Sequence, residues 1–110
     1  MKIAIIGSRN IENINIDSFI PEYITEIISG GAKGVDMIAK KYALSNNINY
    51  CEILPDYQRY KKGAPLIRNV EIIESADEVI AFWDGVSKGT KFVINECKKR
   101  KKKITVYIIT

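Results

Sequence analysis

Three short glycine-bearing segments carry most of the residues able to do chemistry. In Ser29-Gly30-Gly31-Ala32-Lys33-Gly34 three glycines fall just ahead of a helical pattern. Glycine lets the backbone approach a ligand closely, and the unpaired N–H groups of a helix start face an anion, so the segment reads as a phosphate cradle. The plain alternative is a tight turn, and the spacing is neither Gly-x-Gly-x-x-Gly nor a P-loop. Asp84-Gly85-Val86-Ser87-Lys88-Gly89-Thr90 forms a second turn-to-helix entrance, with Thr90 placed as the N-cap and Gly89 allowing close approach. Gly7-Ser8-Arg9 ends an apolar run. A guanidinium there can meet a phosphate with paired hydrogen bonds, or serve only in a surface salt bridge.

Around these loops stand further candidates. Asp36 falls in the first helical turn after Gly34, where a carboxylate suits the helix dipole; it could equally hold a ribose hydroxyl or tune Arg9. Trp83 could stack on a base or simply pack. The chain has no histidine, the side chain that most often serves as general base near neutral pH. Any catalysis therefore rests on carboxylates, Asp36 or Asp84, or on the substrate itself. With no histidine, and with Cys51 and Cys97 far apart, a zinc site or disulfide framework is not expected. Both cysteines read as buried apolar fillers, and neither a metal nor a resident cofactor is expected.

The elements that must position these loops alternate along the chain. Lys2–Ile6, Ile27–Ile28, Tyr50–Leu54, Glu78–Trp83 and Ile104–Ile109 read as five strands, the first of them central. Val35, Ile38, Ala39 and Tyr42 recur at helical spacing between Gly34 and about Asn46. Pro65 suits a first helical turn, with Leu66, Ile67, Val70 and Ile73 as an apolar stripe toward Ser75; Phe92, Val93, Ile94 and Cys97 form another. From Asn10 to Thr25 little regular helix is expected, since Pro21 limits its length. Strands alternating with helices give an α/β, Rossmann-like, three-layer domain over residues 1–110, with a five-stranded, mostly parallel sheet. In such sheets ligands sit beyond the carboxyl ends of the strands.

Composition narrows the partners. The net charge of +4 is concentrated: Lys98 to Lys103 supplies six of the 17 basic residues, leaving 11 against 13 acidic ones. A lysine run at a helix end complements the dipole, which makes nucleic acid the weaker reading. No apolar run nears the roughly 18 residues that span a bilayer, and residues 2–6 read as a strand, not a secretory signal. No membrane partner and a cytoplasmic location are expected.

Taken together, Gly7-Ser8-Arg9, Ser29 to Asp36, Arg68-Asn69, Ala76 to Gly85 and Ser87-Lys88-Gly89-Thr90 resemble the small YspA-like SLOG proteins, across nearly the whole chain and in five ordered motifs. The resemblance implies a Rossmann-like fold that binds nucleotides or nucleotide-derived ligands, and it brings Arg68 and Asn69 into the candidate site. The wider superfamily includes the LOG-type phosphoribohydrolases, which cleave the base from a nucleoside monophosphate, and the DprA proteins, which bind single-stranded DNA. Ser29 to Asp36 is similar to the DprA loop, and Gly89-Thr90 to the Gly-Thr-x-x-Glu of LOG enzymes. Here Val93 stands where that glutamate would be, so binding of a nucleotide-derived small molecule, as sensor or sequestering protein, is expected ahead of LOG-like N-glycosidic hydrolysis. DprA-like single-strand binding comes third. Superfamily enzymes share sites across subunits, so the resemblance leaves a homo-oligomer open.

Overall fold

The computed structural model describes residues 1–109. Five strands, β1 (Lys2–Gly7), β2 (Glu26–Ser29), β3 (Asn49–Glu52), β4 (Glu78–Trp83) and β5 (Ile104–Ile108), form one sheet in the order β3-β2-β1-β4-β5. Every pairing is parallel, and β1 is central, flanked by β2 and β4. The helices are α1 (Val35–Ser45), the one-turn α2 (Tyr57–Tyr60), α3 (Ala64–Ser75) and α4 (Lys88–Lys99).

The sheet is buried on both faces, which is why β1 and β4 are continuous apolar runs without alternation. Ala4, Ile6, Val79 and Ala81 pack with Ile72 and Ile73 of α3 and with Val93, Ile94 and Cys97 of α4. On the other face Ile3, Ile5, Ile80 and Phe82 meet Val35, Ala39 and Ala43 of α1, together with Ile11 and Ile16. Those last two belong to the first crossover, whose only regular piece is a 3-10 turn at Asp17–Phe19. Phe82 also stacks against Tyr107 and meets Phe19 edge-on. The order in which successive strands are added reverses between β1 and β4, the place where an open parallel sheet leaves a crevice at its carboxyl edge.

Several sequence expectations need correction. Strand β3 ends at Glu52, not Leu54, because its partner β2 ends at Ser29; one more bond, from the Ile53 N–H to the Ser29 carbonyl, closes the ladder. Helix α4 begins at Lys88 with Ser87 as N-cap, so Thr90 lies inside the first turn. The inward face of α3 is Ala64, Arg68, Ile72 and Ile73, while Leu66 is exposed. An apolar-only reading passes over Arg68, whose guanidinium is buried because backbone and Asn69 oxygens receive it. Cys97 is buried, its thiol pushed up to about 11 by desolvation, but Cys51 faces outward on the edge strand β3. Helix α2 was not expected; Asp56 caps it, its Oδ1 accepting the Arg59 N–H at 3.1 Å.

Two positive-φ glycines separate conformational from steric demand. Gly34 (φ +76°) and Gly85 (φ +88°) both sit where L side chains are strained, but a Cβ at Gly34 would fall 2.5 Å from the Ser8 and Arg9 carbonyl oxygens, whereas one at Gly85 meets nothing within 4 Å. Gly85→Ala is expected to cost about 1 kcal/mol from backbone strain alone, and Gly34→Ala about 1–2 kcal/mol more, since backbone must move. Urea midpoints of the two variants, compared at constant slope, check the difference.

Candidate functional site

A cavity of about 400 Å³ opens at the carboxyl edge between β1 and β4. Its floor is Ile6, Ile72 and Val93; its walls are Gly7 to Asn10, Ala32 and Asp36, the first half of α3 through Arg68 and Asn69, and Asp84 with Ser87 to Thr90. An apolar floor with a few convergent polar groups, in this size range, is the ordinary make-up of a small-molecule site.

The start of α4 faces this cavity with its donors unused. The N–H groups of Lys88, Gly89 and Thr90 have no acceptor among the described residues, as expected for the first turn of a helix whose cap side chain is engaged elsewhere. The Ser87 hydroxyl donates instead to Asp84 Oδ2 at 2.7 Å. Thr90 is only 5 % exposed as a residue and lines the cavity, and its hydroxyl, which is not a buried orphan, has no hydrogen-bond partner among the described residues. A Cβ at Gly89 would meet nothing within 4 Å, so the backbone there is open to a ligand.

Asp84 builds the turn that holds this helix start. Its Oδ1 accepts the Val86 and Ser87 N–H groups at 2.9 and 2.7 Å, and its own N–H donates to the Ser8 hydroxyl at 3.1 Å. The Val86 and Ser87 N–H donors hold its carboxyl well below the usual carboxylate range. A carboxylate so saturated is a poor general base.

Asp36 is different. It is 6 % exposed, its Oδ2 accepts the Ala32 N–H at 3.1 Å, and the Gly30 N–H also favours its ionised form. Arg68, 8 % exposed, stands on the other side of Gly30, with Nη1 donating to the Gly30 carbonyl at 2.7 Å and Nε to Asn69 Oδ1 at 2.9 Å. A Cβ at Gly30 would strike Arg68 Nη1 at 2.6 Å and approach Asp36 Oδ2 to 3.0 Å. Burial pushes the Asp36 carboxyl above its ordinary value, against the pull of the Ala32 N–H and the Arg68 charge.

Of the sequence candidates, the cavity walls thus bring together Gly7, Ser8, Arg9, Asp36, Arg68, Asn69, Asp84, Ser87, Gly89 and Thr90. Arg9 is exposed and makes none of the chain's observed ion pairs among the described residues. Ser29, Gly30, Gly31 and Gly34 stand behind the wall: the Ser29 hydroxyl donates to the Ile5 carbonyl, and Gly31 packs under Leu54 and Glu52. Gly85 makes the turn, and Trp83 lies off the cavity, its indole N–H on the Ser87 carbonyl at 3.1 Å. Ala32 and Lys88, which lie inside the loop motifs, and Pro65 and Leu66 of the third helix also line the cavity but are not among the sequence's site candidates; only three-dimensional proximity marks them.

The model of the YspA, cpYpsA-related SLOG family matches residues 1–60. The chain belongs to that family. The Gene 61 protein of Mycobacterium phage D29 is 32% identical over 79 residues, which are 66% of this chain and 63% of the phage protein, so the chain spans less than two thirds of that relative's length. No solved structure matches the chain. The SLOG match covers the segments from β1 to α2, including Gly7 to Arg9 and the Ser29–Asp36 loop; the start of α4 lies beyond it, and its reading rests on geometry.

Because the shift of Asp36 is upward, its contribution to stability is full below the unfolded value and declines as pH rises through the folded one. Arg68→Met removes the cation that offsets desolvation. The carbon-13 shift of the Asp36 carboxyl, followed against pH, is expected to titrate above the model-peptide value of about 3.9 in the native chain, and higher still in Arg68→Met.

Proposed function

We propose that this SLOG domain binds a nucleotide or nucleotide-derived molecule, as a sensor or sequestering protein, with a phosphate seated on the first turn of α4. One observation carries the reading: the three N–H groups at the start of α4 have no acceptor among the described residues, and they meet the Thr90 hydroxyl at one cavity. Unpaired donors at a helix start are suited to a phosphate. Arg9 and Lys88 line the same cavity and make no ion pair among the described residues, while the Arg68 charge on the far wall is offset by Asp36.

The alternatives fit less well. Hydrolysis of an N-glycosidic bond would need a carboxylate free to position water, and Val93 occupies the place of the LOG glutamate while Asp84 is spent on its turn. Only Asp36 is left for that role. Nucleic-acid binding through Lys98 to Lys103 would need an unpaired basic patch. Within that run Lys99 and Arg100 pair with Glu96, Arg100 also with Glu74, Lys103 with Glu78, and Lys102 donates to the Ala76 carbonyl, which leaves Lys98 and Lys101 as its cations without an ion pair among the described residues.

Isothermal titration against mono-, di- and cyclic nucleotides and ADP-ribose derivatives is expected to find at least one ligand, and silence across the panel would sink the reading. Gly89→Glu places a carboxylate in open space at the helix start, where it suits the dipole and spares the fold. It is expected to weaken binding at least about tenfold, or about 1.4 kcal/mol. Thr90→Val, which removes only the unpartnered hydroxyl, is expected to lower affinity with no loss of thermal stability.

A further inference from the structure

None of the residues lining the cavity is aromatic, so its walls offer no face on which a base could stack. The connection from β3 to α3 runs along its rim. Leu54 packs on Gly31, beside the lining residue Ala32, and the fully buried Ala64 directly precedes the lining residues Pro65 and Leu66. Between these two anchors no residue lines the cavity and none is buried. The Tyr57 phenol comes close enough to the Arg68 guanidinium on the cavity wall to act on its charge. This connection is held chiefly by itself. Its last hydrogen bond to the sheet is made by the Ile53 N–H; beyond it the Arg59 and Tyr60 N–H groups bond to Asp56, and the Lys61 N–H to the Tyr57 carbonyl. Among the described residues none of 54–62 bonds to the sheet, to α1 or to α4, or enters an ion pair. Lys61 has φ +53° and ψ −127°, a backbone conformation that L side chains rarely adopt, and a Cβ at Gly63 would meet only Ile67 Cδ1 at 3.9 Å, which leaves room to turn. Strained residues of this kind gather at ligand clamps and switch segments. Leu54, Tyr57 and Leu66 are 61, 57 and 48 % exposed, and apolar groups left in water around a cavity mouth mark a binding surface.

We propose that residues 54–63 form a hinged cover that closes on the cavity and lays the Tyr57 ring against the base of the ligand. The inference rests on the nucleotide-ligand reading and deepens it by supplying the base contact that the cavity walls lack. Its hinges are the stretch after Ile53, where the sheet bonds end, and the strained turn at Lys61 to Gly63. Closure takes exposed apolar surface of Leu54 and Tyr57 out of water, which favours the closed form only when a ligand fills the space beneath. Arg59, Lys61 and Lys62 ride on the same segment, Arg59 lying over the Tyr60 ring at 5.2 Å, so the cover brings positive charge toward an anionic ligand. Every base has a π face, and a stacked tyrosine therefore requires a base without choosing among bases.

Amide hydrogen exchange and titration test this together, with mono-, di- and cyclic nucleotides and ADP-ribose as the probes. In the native chain the amides of residues 54–63 are expected to exchange faster than those of α3, and the tightest-binding probe is expected to slow them at least about tenfold. Tyr57→Ala removes an exposed side chain that makes no hydrogen bond among the described residues, so the fold is spared. It is expected to weaken that probe at least about fivefold, the low end of what base stacking on an aromatic ring contributes. Tyr57→Phe, which keeps the ring, is expected to lose far less. A probe that binds while residues 54–63 exchange as before overturns the inference, and so does a Tyr57→Ala chain that binds it as tightly as the native one; both results leave the nucleotide reading standing. Native chain that binds none of the probes removes the nucleotide reading and this inference with it.

Discussion

The first turn of α1 lies directly on the end of β1, and that close approach fixes where everything at the carboxyl edge can stand. Gly34 packs against the Ser8 and Arg9 carbonyls, and Val35, fully buried, fills the space beside Gly7. With no side chain at either glycine, helix and strand meet at backbone distance. Ser8 then points the other way, receiving the Asp84 N–H, which ties the β4 turn to the same corner. One contact thus sets the positions of three loops: the end of β1, the glycine-rich loop and the entrance to α4.

From this corner the division of charge follows. Asp84 spends its oxygens on the turn that presents α4, leaving the helix start bare of acceptors. Asp36 spends part of its own on the loop beside α1. The two carboxylates sit near one cavity and differ in kind: one is stabilised as an anion by donors at the surface, the other is held above its ordinary value by burial.

Much of the fold is legible in the sequence because its elements obey simple periodicities. β4 is continuous and apolar, and its bounds fall where Asp84-Gly85 ends the run; α1 carries its stripe between a glycine and an asparagine. The short helix α2 is not legible, since four residues do not make a period. Arg68 escapes for another reason: hydrophobic patterning assigns an arginine outward, and only the Gly30 carbonyl, 38 residues away in sequence, makes its burial tolerable. Thr90 looks like a cap from its neighbours, yet the Asp84 turn starts the helix earlier and turns that hydroxyl from a structural group into a free one. The site residues are nearly all readable as polar or glycine positions near strand ends. Which of them face the cavity, and which face each other, is decided by contacts that link distant parts of the chain.

The glycines at 7, 30 and 34 are each required by a neighbouring part of the protein itself. Divergence among related chains is therefore constrained unequally. The β1 and glycine-rich-loop segments answer to the frame, and altering them disturbs packing before it alters recognition. On the opposite wall Gly89 answers to no such internal demand, since a Cβ there would meet nothing within 4 Å. A side chain gained there would change the lining of the cavity while the frame around β1 and α1 stands unaltered.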